Sequence, residues 1–180
     1  MREFYLDTKT LRENAQDLKA GDKVYLSGTV YTARDAAHKR IFEHLENGKP
    51  LPFNIENSVI YYAGPTPTPE GKIIGSVGPT TSGRMDKFAP SLYDLGVIAT
   101  IGKGERNPKV IEAIKRNKAI YLCAIGGAGA LASLSIAECE VIAFDDLGCE
   151  SIKKLTFNNF PLFVGIDSKG NEIFSKKGAL

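Results

Sequence analysis

Three cations and one hydroxyl stand out from an otherwise even scatter of polar residues: Arg34, Thr80, Arg84 and Lys103. Each falls at an expected strand end or beside a glycine turn, where α/β sheets gather their ligands. Thr80 and Arg84 belong to the run Gly78-Pro79-Thr80-Thr81-Ser82-Gly83-Arg84-Met85-Asp86. Pro79 fixes φ, Gly83 permits close backbone approach, and Thr80, Thr81 and Ser82 set three hydroxyls beside a guanidinium. Hydroxyl residues ahead of a helix start leave backbone N–H groups free for an anion. A four-residue spacing puts Thr80 and Arg84 on one face if the run is helical. Three cations in one cleft repel unless an anion joins them. Two guanidiniums can each fork a carboxylate, through charged hydrogen bonds of about 1.5–3 kcal/mol apiece. A small dicarboxylate suits that set. The plainer alternative is a capped helix start among scattered surface cations.

Other constellations are weaker. Arg34, Asp35 and His38 are expected in the first turn of a helix that follows a strand, facing a cleft. His38 and His44 are six residues apart on that helix and point to different faces, so they make no metal pair. A triad of Ser82, His38 and Asp35 lacks a nucleophile elbow. Cys123, Cys139 and Cys149 are too few and too dispersed for a disulfide framework or a CxxC metal site. They read as small buried hydrophobes in a reducing compartment. Gly127-Ala128-Gly129-Ala130-Leu131-Ala132 approximates GxGxxA after a strand, with Asp145 and Asp146 near the place of a ribose-binding acid. It comes late in the chain, however, and Glu138, Cys139 and Glu140 crowd the next strand. The turn Gly126–Gly129 remains an alternative small-anion or nucleotide site, or a point of tight packing.

The elements that must position these residues follow from periodicity. Short strands are expected at Phe4–Leu6, Lys23–Val30, Val59–Ala63, Ile73–Val77, Gly96–Ile101, Ile120–Ile125, Glu140–Phe144 and Leu162–Ile166. Thr10 is expected to cap a brief helix. A longer helix carries the stripe Ile41, Phe42 and Leu45 and stops at Asn47-Gly48. Further helices are expected over Met85–Leu92, after the cap pair Asn107-Pro108, and over Ala130–Ile136. Asp167–Gly170 forms a final turn. Strands and helices alternate, so the fold class is α/β and layered. The 180 residues, 43% hydrophobic, suit one domain spanning 1–180. A net charge of +2 without a block of one sign argues against a dedicated nucleic-acid binder. The first eleven residues have no continuous apolar region, so no signal peptide is expected. The uncharged run Ala119–Ala137 is interrupted by glycines and reads as strand, turn and helix, not a membrane span. A soluble, cytoplasmic protein is the expectation.

Four strings in order carry a resemblance over about Leu26 to Phe174: Ser27 to His38, Gly78 to Asp86, Gly102-Lys103-Gly104 and Asp146-Leu147-Gly148-Cys149-Glu150. They resemble the β subunit of two-subunit class I fumarases and L-tartrate dehydratases, which is also the C-terminal domain of single-chain class I fumarases. The resemblance implies a swivelling β/β/α three-layer domain and an iron–sulfur hydro-lyase that hydrates fumarate or dehydrates malate or tartrate. It implies a [4Fe-4S] cluster held by cysteines of a partner α subunit, with which the lack of a matching cysteine set here is consistent, and no activity without that partner. It further implies that Arg34 and Arg84 clamp carboxylates, that Lys103 contacts substrate and that Thr80 is the base. Asp35, His38, Thr81, Ser82 and Gly83 fall in supporting places, His38 as a candidate proton carrier.

Overall fold

The computed structural model describes residues 1–174. Its elements in chain order are β1 (Glu3–Asp7), α1 (Leu11–Asn14), β2 (Lys23–Thr32), α2 (Asp35–Glu46), β3 (Val59–Tyr61), α3 (Ala89–Asp94), β4 (Ala99–Gly102), α4 (Pro108–Arg116), β5 (Ile120–Cys123), α5 (Gly129–Ser133), β6 (Ile136–Ala143) and β7 (Ile152–Ile166). Two 3-10 turns, Ser82–Met85 and Asp145–Glu150, complete this mixed α/β set.

The sheet runs β1-β2-β3-β4-β5-β7-β6, and β2 also pairs with β7. That extra pairing closes β2, β3, β4, β5 and β7 into a five-stranded barrel, while β1 and β6 extend the sheet outside it. The first four barrel strands are parallel and β7 runs against its neighbours. Closure requires β2 and β7 to change partners midway. β2 pairs first with β1 and then with β3, while β7 pairs first with β6 and then with β5. Both strands bend at the changeover. Their register slips between Leu26 and Gly28, where Gly28 has φ of +103°. Opposite it Asn159 has φ of 49° and donates its backbone N–H to Ser27 Oγ at 3.0 Å. A Cβ on Gly28 would collide with Thr8 Oγ1, so glycine answers both a dihedral and a steric demand.

Inside the barrel, stacked Phe157 and Phe160 (4.1 Å between centroids) receive the edge of Tyr61 within one continuous apolar cluster. α2 closes at Asn47-Gly48 as its sequence predicts, with Gly48 at φ +62°. α4 starts on Asn107, whose Oδ1 accepts the Val110 N–H at 3.0 Å.

Several expected elements differ. Ile73–Val77 is not a strand. Thr66 N–H donates to the Ser76 carbonyl and Val77 N–H to the Gly129 carbonyl, so the segment is held by the proline-rich excursion and α5. The excursion's prolines offer no N–H for a ladder. The helix expected over Met85–Leu92 is split: a 3-10 turn ends at Met85 and α3 begins at Ala89, with Pro90 in its first turn. Ala130–Ile136 ends sooner, because Ile136 already belongs to β6. β7 extends ten residues ahead of the expected Leu162 start.

Candidate functional site

β3 and β4 run parallel and end at the same rim. Across it lies the run Gly78 to Asp86. Pro79 bridges Ala63 and Thr81 bridges Lys103, so the loop is stitched to the extensions of both strands. Thr80 N–H donates to the Tyr62 carbonyl at 2.6 Å and Ser82 N–H to the Lys103 carbonyl at 2.9 Å. The shared helical face expected for Thr80 and Arg84 does not form, because Thr80 precedes the 3-10 turn that holds Arg84. Ser82 is fully buried. Tyr121 donates its hydroxyl to the Gly104 carbonyl at 2.9 Å and so accepts from Ser82 Oγ at 2.8 Å. Gly102 has no Cβ to strike Ser82 Oγ, which is why the hydroxyl fits there.

The N-terminal end of α2 faces the loop. Arg84 Nε donates to Asp35 Oδ1 at 3.2 Å, and its Nη2 stands 2.8 Å from Oδ2 but off the hydrogen-bond axis. This pair joins the loop to the helix end that carries Arg34. Arg34 Nη2 lies 3.5 Å from Glu150 Oε1, and its buried Nε–H has no acceptor. Glu150 Oε2 accepts the Ala36 N–H at 2.9 Å, capping a helix whose own cap residue, Arg34, offers no side-chain bond. Lys153 folds its buried ammonium back onto Ser151 Oγ and the Gly148 carbonyl, which fixes the turn that presents Glu150.

His38 does not face the cleft, contrary to expectation. Its ring is wholly buried and Nδ1 donates to the Arg34 carbonyl at 2.7 Å, while Nε2 has no partner. Burial pushes the imidazole down to about 4, against the raising influence of the Arg34 carbonyl and Asp35. It supports the Arg34 backbone as a neutral ring.

Arg106 is not among the residues the sequence singles out. Its side chain is 0% exposed, and Nε donates to Asp86 Oδ1 at 2.7 Å. Nothing in the sequence around Arg106 marks it; the only signal was Asp86, the final residue of the loop run. Lys103 is exposed, and its Cδ lies 3.5 Å from where a Gly126 Cβ would stand. A Cβ on Gly129 would come within 2.5 Å of Ser76 Oγ and 2.9 Å of the Gly78 nitrogen. Gly129 therefore serves close packing against the site loop. Cys123 and Cys139 are half-buried, and burial pushes both thiols up, but Cys149 is exposed, contrary to the expected burial. Among the described residues no three of His, Cys, Asp and Glu group as metal ligands, and no helix is long and apolar enough to cross a membrane.

A family model described as "Fumarase C-terminus" matches residues 1–177. "Fumarate hydratase 2" of Leishmania major is 43% identical over 168 residues, 92% of this chain but 30% of that protein. The chain thus spans less than a third of that relative's length. Two relatives match nearly end to end. The "Putative L(+)-tartrate dehydratase subunit beta" of Methanocaldococcus jannaschii is 38% identical over 96% of this chain and 91% of its own. The "L(+)-tartrate dehydratase subunit beta" of Escherichia coli (strain K12) is 34% identical over 97% and 88%. With a family model spanning almost every residue and relatives at these identities, the chain belongs to the Fumarase C-terminus family.

Proposed function

We propose that this chain is the β-subunit-type part of a hydro-lyase that interconverts fumarate and malate or dehydrates tartrate, supplying the groups that hold the diacid and move its proton. The observation that carries the reading is the Arg84–Asp35 pair, which ties the Thr80–Arg84 loop to the helix end bearing Arg34. In this proposal two guanidiniums, a hydroxyl and the ammonium of Lys103 act together on one substrate.

Arg84 spends one edge on Asp35 and keeps Nη1 for a carboxylate; the partly exposed guanidinium of Arg34 is the second clamp. Thr80 Oγ then takes the proton from the carbon beside a carboxylate. An alcohol is a poor base near neutral pH, so this step needs cations that favour the alkoxide. The same cations meet the negative charge that builds on the carboxylate as the C–H bond breaks. Asp35, Thr81, Ser82 and Gly83 shape the loop and orient Arg84. The [4Fe-4S] cluster implied by the resemblance belongs, in this proposal, to a partner α subunit: this chain's described residues do not fit it, and no step here passes through it. The whole chain acting as one swivelling β/β/α layered domain against that partner, in the cytoplasm, is part of the same proposal. The partner subunit is supported by the "subunit beta" names of the two end-to-end relatives.

Co-production with a cluster-bearing partner subunit tests it by following the loss of fumarate absorbance. Thr80→Ala should lower kcat by about 10²–10⁴-fold, the usual range for a lost general base. Arg84→Ala should raise KM and lower kcat. Near-full turnover in both variants contradicts the assignment.

A further inference from the structure

We infer that Arg106, through its buried pair with Asp86, is the positioning residue that sets the geometry of the Thr80–Arg84 loop; the inference deepens the proposed function and rests on it. Arg106 distributes its donors over three elements. Nε donates to Asp86 Oδ1 at 2.7 Å, Nη1 to Thr100 Oγ1 at 3.0 Å and Nη2 to the Tyr62 hydroxyl at 3.3 Å. Its guanidinium lies 5.3 Å from the Tyr62 ring centroid and 4.9 Å from that of Tyr121. The other oxygen of Asp86 accepts the Asn107 N–H at 2.7 Å, so the carboxylate is used on both sides.

Three of the residues that contact Arg106 also grip the site loop. Tyr62 takes the Thr80 N–H on its carbonyl, Tyr121 takes the Ser82 hydroxyl, and Asp86 is the loop's last residue. One guanidinium therefore reaches the loop at its start, middle and end, and Arg84 stands between those three anchors. Tyr121 also holds the Gly104 carbonyl, next to Lys103.

Stability does not explain the pair. A buried ion pair is often matched or bettered by apolar residues of equal volume, because desolvation offsets the attraction. What apolar residues cannot supply is direction. Nor can lysine, whose single ammonium cannot span Asp86, Thr100 and Tyr62 as a planar fork does. Arg34 is held by a separate set, Glu150 and the end of α2, so loss of Arg106 leaves that carboxylate clamp in place. The expected signature is a fault in turnover with little fault in binding.

The test compares Arg106→Lys and the near-isosteric Asp86→Asn with wild type, both in the partnered enzyme and in the free chain. Arg116→Lys, the same change at the exposed Arg116–Asp94 pair, is the control. In the partnered enzyme kcat should fall on the order of tenfold to a hundredfold with KM within about threefold, as for a small misplacement of reacting groups. In the free chain, amide hydrogen exchange at Thr80 and Ser82 should quicken by at least about tenfold, while the β4–β5 ladder keeps its wild-type protection. Wild-type exchange at Thr80 and Ser82 in both folded variants overturns the inference, as does equal loosening of the β4–β5 ladder. Wild-type kcat in both variants overturns it too. If the wild-type pair neither hydrates fumarate nor dehydrates tartrate, the functional proposal falls and the exchange result alone decides the positioning role.

Discussion

The imidazole of His38 lies 5.4 Å from the Phe88 ring centroid and 5.5 Å from that of Tyr62, one nitrogen on the Arg34 carbonyl and the other on nothing. Its folded-state value of about 4 is depressed from 6.5 by burial. Between those values the unfolded chain binds a proton that the folded chain refuses, so stability rises with pH across that window. The contribution is full above about pH 6.5 and is lost as pH falls toward 4, a change of about 3 kcal/mol at 1.36 kcal/mol per pH unit. Urea unfolding of wild type and His38→Phe at pH 7 and pH 4.5 isolates it: wild type should lose more stability than the variant by about 2–3 kcal/mol. Equal losses in the two proteins would remove the case for a neutral buried ring. His38 and Arg106 also mark where sequence reading stops at this scale. Arg34, Thr80, Arg84 and Lys103 draw notice in the sequence because they fall at expected strand ends and beside glycines. A histidine in a helix's first turn and an arginine two residues past Gly104 look solvated, and only elements distant in sequence bury them.

At the scale of elements, the strands and helices of the latter half were largely legible, since β-branched runs alternate with amphipathic ones. The closure of the sheet was not. It depends on β7, whose first half was obscured by Lys153 and Lys154, although Lys153 is buried with its ammonium turned back on the chain. It also depends on the paired bends at Gly28 and Asn159, features of two strands meeting rather than of either alone. Ile73–Val77 shows the converse: its composition suits a strand, but its backbone groups find their partners in the neighbouring loop and α5. Glycine substitutions separate the steric from the dihedral part of the bend. Gly71 has φ of +72° in open space, so Gly71→Ala should cost about 1–2 kcal/mol from the left-handed backbone alone. Gly28→Ala adds a collision with Thr8 Oγ1 and should cost about 1–3 kcal/mol more, read from denaturant midpoints at constant m. If the two variants lose the same stability, the close approach of β2 to the turn after β1 is not what requires glycine.

For the whole molecule, the rim is open on the side of α5. Ile125 is 55% exposed, Leu131 70% and Leu134 77%, and the turn between the first and second of these lies under the Lys103 side chain. Apolar side chains this exposed, with Lys103 alongside, suit a face covered by another protein surface. In the proposed assembly that cover is the partner α subunit. In the proposed assembly, the docking step that covers this patch also shields Lys103, whose side chain lies over the Gly126 turn, from water and so strengthens its hold on a diacid. The double variant Leu131→Glu with Leu134→Glu puts two charges where a desolvated contact forms, away from the barrel core. Its affinity for the partner should fall by at least about tenfold, as expected when central apolar anchors are lost, with the melting temperature of the free chain unchanged. At saturating partner, turnover should return to the wild-type value, because no substrate-facing group has been altered. Unchanged affinity would place the partner on another face, and lost turnover at saturation would make these leucines part of the site itself.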